Sequence, residues 1–155
     1  MAKCEISFPD EFAFQLSELG KHTDEITARA LEAAADKVIP VFKSNLAESI
    51  GNTTFPSRST GELLASVGKS PAMVDKNGNT NVKIGFNEPR KTQYAAVGKR
   101  SYYEITNAMI ANVIEYGKHS PNQPPRPFLK RTKSQTMDTC IEAAQQAFDE
   151  EVKKL

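Results

Sequence analysis

The chain is 155 residues long, with 39% apolar and 25% charged side chains, and its nine prolines and eight glycines are spread along it. That composition is expected of a single domain over residues 1–155; it excludes long-range disorder and fibrous repeats, and no apolar run approaches the 18 residues of a membrane span. Twenty basic against nineteen acidic groups leave a formal charge of +1, so bulk charge points to no polyanionic partner.

The total hides a segregation. Residues 1–50 carry −4, 51–88 carry +1, 89–133 carry +7 and 134–155 carry −3, so two acidic ends flank a basic middle. The opening Met1-Ala2-Lys3-Cys4-Glu5 meets acids again at Asp10 and Glu11 instead of an apolar leader core, and the expectation is a chain that stays in the cytoplasm where it is made. Cys4 and Cys140 lie near opposite ends. Reduced thiols are the simpler reading; a bridge between them stays open, because spacing does not report proximity.

In chain order, residues 1–23 read as an N-terminal extension with a short helix. Ser7 caps it, Pro9 sits in its first turn, Phe12, Leu16 and Leu19 mark its face, and Gly20 is placed to stop it. A second start at Thr23-Asp24-Glu25 opens a helix of about 27 residues, on the order of 40 Å. Its stripe is Ile26, Ala30, Ala34, Val38, Phe42, Leu46 and Ile50, with Leu31 and Ala35 beside it, and Gly51-Asn52 ends it. Pro40 predicts a kink or break near Ile39.

Residues 51–61 are polar and aperiodic, a loop. Residues 62–67 then make a helical turn or lead into a strand. Met73-Val74 and the alternating Val82, Ile84 and Phe86 flank Asn77-Gly78, a hairpin signal. Two strands alone are marginal, so the hairpin is expected to lie on the long helix or to gain strands elsewhere.

Residues 87–101 form a long basic loop with Arg90, Lys91, Lys99 and Arg100, near Tyr94, Tyr102 and Tyr103. Thr106 caps a short helix carrying Met109, Val113 and Tyr116, which Gly117 stops. A stiff track with Pro121, Pro124, Pro125 and Pro127 leads to the last helix, whose stripe is Phe128, Met137, Ile141, Ala144, Phe148, Val152 and Leu155. The fold class expected is α+β: a long kinked N-terminal helix and a C-terminal helix packed with a small antiparallel hairpin, plus a short helix and long loops.

Chemistry finds no foothold. Cys4, His22, His119 and Cys140 never pair at zinc-ligand spacing, the glycines form no phosphate-cradling loop, and Asp149-Glu150-Glu151 is a solvated helix face. Catalytic, metal and cofactor sites are therefore expected to be absent. The basic region 87–133 offers an alternative, a small nucleic-acid-binding module with lysines and arginines on phosphates and tyrosines on bases.

The most informative segment is Glu115-Tyr116-Gly117 followed by Pro124-Pro125-Arg126-Pro127-Phe128-Leu129. Arg126 sits where it could pair with Glu115 or with another chain. A Glu-aromatic-Gly run before Pro-x-Arg-Pro-Phe-Leu resembles the siphophage head-to-tail joining, or tail-completion, proteins. Upstream, Ser59-Thr60-Gly61-Glu62-Leu63-Leu64-Ala65-Ser66-Val67 is similar to their Asp-Thr-Gly-x-Leu-x-x-Ser-Ile segment, with Ser59 in place of the Asp. The order of elements agrees over roughly residues 24–150.

The resemblance implies a non-enzymatic virion protein of a tailed phage or prophage, assembled in the host cytoplasm as a ring of its own copies, sixfold, at the head–tail junction. It would touch the tail tube or terminator and the head-side connector, surround a channel for DNA, and involve no membrane. Thr60, Gly61, Leu63, Glu115, Tyr116, Gly117, Pro125, Arg126, Pro127 and Phe128 carry the motifs and are the interface candidates. A tail terminator or minor tail protein of the same neck is the alternative within the virion.

Overall fold

A computed structural model of the protein describes residues 10–51, 60–88, 105–119 and 123–154. The Ser7 cap, residues 52–59, the basic loop with Arg90, Lys91, Lys99 and Arg100, and Cys4 lie outside the described residues.

The fold is α+β. Helix α1 (Asp10–Gly51) runs 42 residues, about 63 Å at 1.5 Å per residue. The expected stop at Gly20 does not occur, and Pro40 lies inside the helix without breaking it. One interior glycine costs only about 1 kcal/mol of helix propensity, and the flanking Glu18–Lys21 pair spans the same turn. At Pro40 the residues facing inward on either side, Ala35, Phe42 and Leu46, are all buried, and their packing outweighs the missing backbone donor.

After α1 come a single turn α2 (Glu62–Ala65) and strand β1 (Val67–Lys69), so residues 62–67 supply both a helical turn and the start of a strand. Strands β2 (Met73–Val74), β3 (Thr80–Asn81) and β4 (Ile84–Phe86) complete a long bent hairpin, with β1 antiparallel to β4 and β2 antiparallel to β3. Val67 faces Phe86 and Lys69 faces Ile84, whereas Met73 faces Asn81. The register thus gains one residue on the first arm between Ser70 and Met73, a bulge containing Pro71, where a missing N–H breaks no ladder bond. The hairpin lies along α1 as expected: the Lys69 ammonium reaches Asp36 at 2.6 Å.

Helix α3 (Asn107–Tyr116) starts at Thr106, whose hydroxyl accepts the Met109 N–H at 3.1 Å. Glu88, at the end of the hairpin, accepts the Ala108 N–H at 3.0 Å and adds a carboxylate to the positive helix end. Helix α4 (Phe128–Val152) returns antiparallel along α1, with Asn45 beside Thr132 and Arg29 paired to Glu151. Lys154, helped by Arg29, holds the Glu151 carboxyl below the usual glutamate range.

The core gathers Phe42, Leu46, Leu63, Val67, Ala111, Ile114 and Phe128. Phe42 is its hub, 5.5 Å edge-on to the Phe128 ring and 5.7 Å from that of Phe86. The expected stripe of α4 is corrected here. Phe128 is buried, but Met137, Ile141 and Phe148 are exposed, and the residues turned to α1 are Thr132 and Thr136. Their hydroxyls donate to the Phe128 and Thr132 carbonyls, and Asn45 donates to Thr132 Oγ1 at 3.0 Å and Gln135 Oε1 at 2.8 Å. A satisfied polar seam therefore occupies the face that spacing alone would reserve for hydrocarbon. On α3 likewise, Met109 and Tyr116 point outward while Asn107, Ala111, Ile114 and Glu115 are buried.

Phe128→Ala should cost about 3–5 kcal/mol, measured by urea unfolding, because it empties the centre of the core. Pro40→Ala should do the opposite: it restores a donor to an exposed position of an intact helix and should raise stability by about 1–3 kcal/mol.

Candidate functional site

The motif residues converge on one place, where the C-terminal ends of α1 and α3 meet the N-terminal end of α4. Helix α4 begins poorly equipped. Pro127 at its N-cap offers no side-chain acceptor, and its first turn holds no acid. Lys130, Arg131 and Lys133 add positive charge to the positive end of the helix dipole. Glu115, buried at the end of α3, supplies what is missing: Oε2 accepts the Leu129 N–H at 2.8 Å and Oε1 the Lys130 N–H at 3.2 Å. This does from another helix what a capping residue does locally.

Gly117 makes the return possible. Its φ of 75° and ψ of 179° lie in a region that side chains avoid, and its N–H closes α3 on the Val113 carbonyl at 2.9 Å. A Cβ there would stand 2.5 Å from the Gln123 carbonyl oxygen and 2.8 Å from Pro125 N. The chain doubles back through paired bonds between Lys118 and Gln123, and the Arg126 N–H then reaches the Ile114 carbonyl at 2.8 Å.

Arg126 does not pair with Glu115. Its Nη1 donates to the Ser49 carbonyl at 2.6 Å, in the last turns of α1. Arg131 joins it there, donating Nη1 to Glu48 at 2.9 Å and Nη2 to Ser49 Oγ at 3.0 Å. Two guanidiniums thus face the negative end of α1, as one carboxylate faces the positive end of α4.

The upstream motif is anchored separately. Gly61 caps α2 with φ 77°, a left-handed conformation, and Leu63 is buried in the core beside Ile114, while Thr60 is exposed. Pro125 and Pro127 are exposed parts of the track, and Tyr116 is 74% exposed. Sequence reasoning missed Asn45, Ser49 and Arg131. Their signal was present in outline, since α1 ends without a basic residue in its last turn and needs cations from elsewhere.

Two kinds of surface remain open. One is the outer face of α4 and the motif helix, with Tyr116, Leu129, Met137 and Ile141 exposed around Lys130 and Lys133. The other is the start of α1, which overhangs the rest: α4 runs out beside Arg29, and residues 20–25 are all exposed. Phe14 on this overhang is 65% exposed. Among the described residues no three His, Cys, Asp or Glu side chains gather to hold a metal, and no helix is long and apolar enough to cross a membrane.

Glu115→Ala should lower stability by about 2–3 kcal/mol, since two N–H groups lose a charged acceptor; Glu115→Gln, which keeps one acceptor, should lose less. Gly117→Ala should cost at least as much, about 2–4 kcal/mol, through backbone strain and the clash with the proline track. Arg126→Glu should destabilise the fold itself, because it sets a carboxylate against the Ser49 carbonyl. Urea titrations of the four variants beside the parent check the order.

Comparison with known families gives a match, over residues 10–117, to the family described as "Bacteriophage HK97-gp10, putative tail-component". The matched stretch holds Thr60, Gly61, Leu63 and Glu115-Tyr116-Gly117, and it begins before the long helix stripe, so the α1 overhang is part of it. The proline track and α4 lie beyond it. No curated protein and no solved structure matches the chain. The match spans more than half of the sequence: the chain belongs to the HK97-gp10-like family of bacteriophage tail components.

Proposed function

We propose that the protein is a structural component of the phage neck that forms a ring of its own copies, six in number, completes the tail and joins it to the head connector. In this reading residues 1–155 act as one domain, assembly takes place in the host cell of a phage or prophage, and DNA passes through the ring without sequence-specific contact. Family membership over residues 10–117 is the observation that carries it. The physical features support it: large side chains exposed on α4 and on the overhang of α1, and an acidic N-terminal end separated from a basic motif region. Head-to-tail contacts between unlike surfaces close into rings when the rotation allows.

The terminator alternative shares these features and differs in its neighbour. The nucleic-acid alternative is weakened, since Arg126 and Arg131 from the basic region are spent on the end of α1. It predicts an affinity for DNA that falls steeply with salt.

The test is a phage in which this gene is disrupted. Full heads and free tails of normal length, joined into infectious particles when the purified protein is added, would bear the reading out. Tails of uncontrolled length would point to the terminator instead, because a cap that halts tube growth is then missing. Normal virions would overturn both.

A further inference from the structure

The two open surfaces have matching properties and are held apart by the fold. Residues 10–25 carry five carboxylates against one lysine, a net −4, whereas the α4 surface over residues 129–141 exposes Lys130 and Lys133 against the one acid Asp138, its third cation, Arg131, being paired with Glu48. Each has exposed hydrocarbon: Phe14 on the overhang, and on α4 the ridge Leu129, Met137 and Ile141, in one row with Lys133 at spacings of four. Ridges of this kind are what a second helix packs into.

Within one chain the two cannot meet. The start of α4 lies beside Asn45, and Phe14 is 31 residues away along a continuous helix, about 45 Å. An overhang of some four turns is also marginal without a neighbour, because short helices in water lack the packing that stabilises them. Along it Glu18 pairs with Lys21 and Glu25 with Arg29, which stiffens the helix but covers no apolar surface.

The positive end of α4 fits an acidic visitor. The Lys130 and Lys133 side chains are exposed, and among the described residues neither ammonium pairs with a carboxylate. We infer that the overhang of α1 in one copy docks on the α4 ridge of the next copy, with Phe14 against Met137 and the overhang's carboxylates facing Lys130 and Lys133. The occupant is a second copy of this chain, and the contact is of unlike surfaces, head to tail. It rests on the ring reading above and names the surfaces that would build the ring.

The test uses the full chain and two variants, Phe14→Arg and Met137→Arg, in sedimentation velocity across concentration. Both positions are exposed, so circular dichroism and melting should match those of the parent at dilutions where the parent is dissociated. The expected result is an oligomeric parent and two variants whose self-association is at least roughly tenfold weaker, as a charge forced into an apolar contact demands. Mixed in equal amounts, the two variants should form a one-to-one dimer and stop. The intact overhang of Met137→Arg meets the intact ridge of Phe14→Arg, and no second good contact remains.

Variants that assemble like the parent would overturn the contact and leave the ring reading to the tail-joining experiment. Variants that fail alone and also fail to pair would overturn it as well, by showing that the two positions do not belong to one interface. A parent that is monomeric at every concentration overturns it too, and the ring reading then stands or falls on whether the protein joins heads to tails.

Discussion

A carboxylate on two backbone N–H groups holds this molecule together at its most awkward point. Helix α4 starts with a proline, no acid and three cations within six residues, an arrangement that opposes its own dipole. Glu115 answers that from α3, and it is buried while doing so. A buried carboxylate without such partners would be costly, so the helix start and the glutamate each make the other tolerable. The position of α3, set by Thr106 and Glu88 at one end and by Leu63 against Ile114 in the core, therefore fixes where α4 begins.

The same corner settles the end of α1. Arg126 and Arg131 lie on either side of Phe128, whose ring fills the core against Phe42. Their cationic ends go to the final turns of α1, while the phenyl group between them goes inward. Two helix termini are thus neutralised by charged groups borrowed from neighbouring elements, and the end of α3 takes the Arg126 N–H on its Ile114 carbonyl. The proline track and Gly117 are the means by which the chain turns tightly enough for this exchange.

Much of this was legible from residue spacing, and the misreadings have physical causes. The stripe of α1 was readable because Ile26, Ala30, Phe42 and Leu46 are all buried at helical intervals. Gly20 misled because a glycine stops a helix only where something else favours stopping. The face of α4 misled more seriously: a pattern search sees Met137, Ile141 and Phe148 and cannot see that Thr132 and Thr136 satisfy their hydroxyls on their own helix and on Asn45. Glu115 was singled out, but for the wrong partner. The better clue was that it is the only acid between Glu104 and Asp138, just ahead of a helix that lacks one.

The seam between α1 and α4 has a consequence of its own. Hydrocarbon faces of two long antiparallel helices can slide by a turn and still touch, at little cost. Here a slide of one turn, about 5.4 Å, would take Asn45 away from Thr132 and Gln135, and in the direction that brings Phe128 opposite it would leave its amide enclosed with nothing to bind. The polar groups thus act as an alignment pin. They set the length by which α1 projects past α4, so a dimension at one end of the rod is decided by an asparagine near the other.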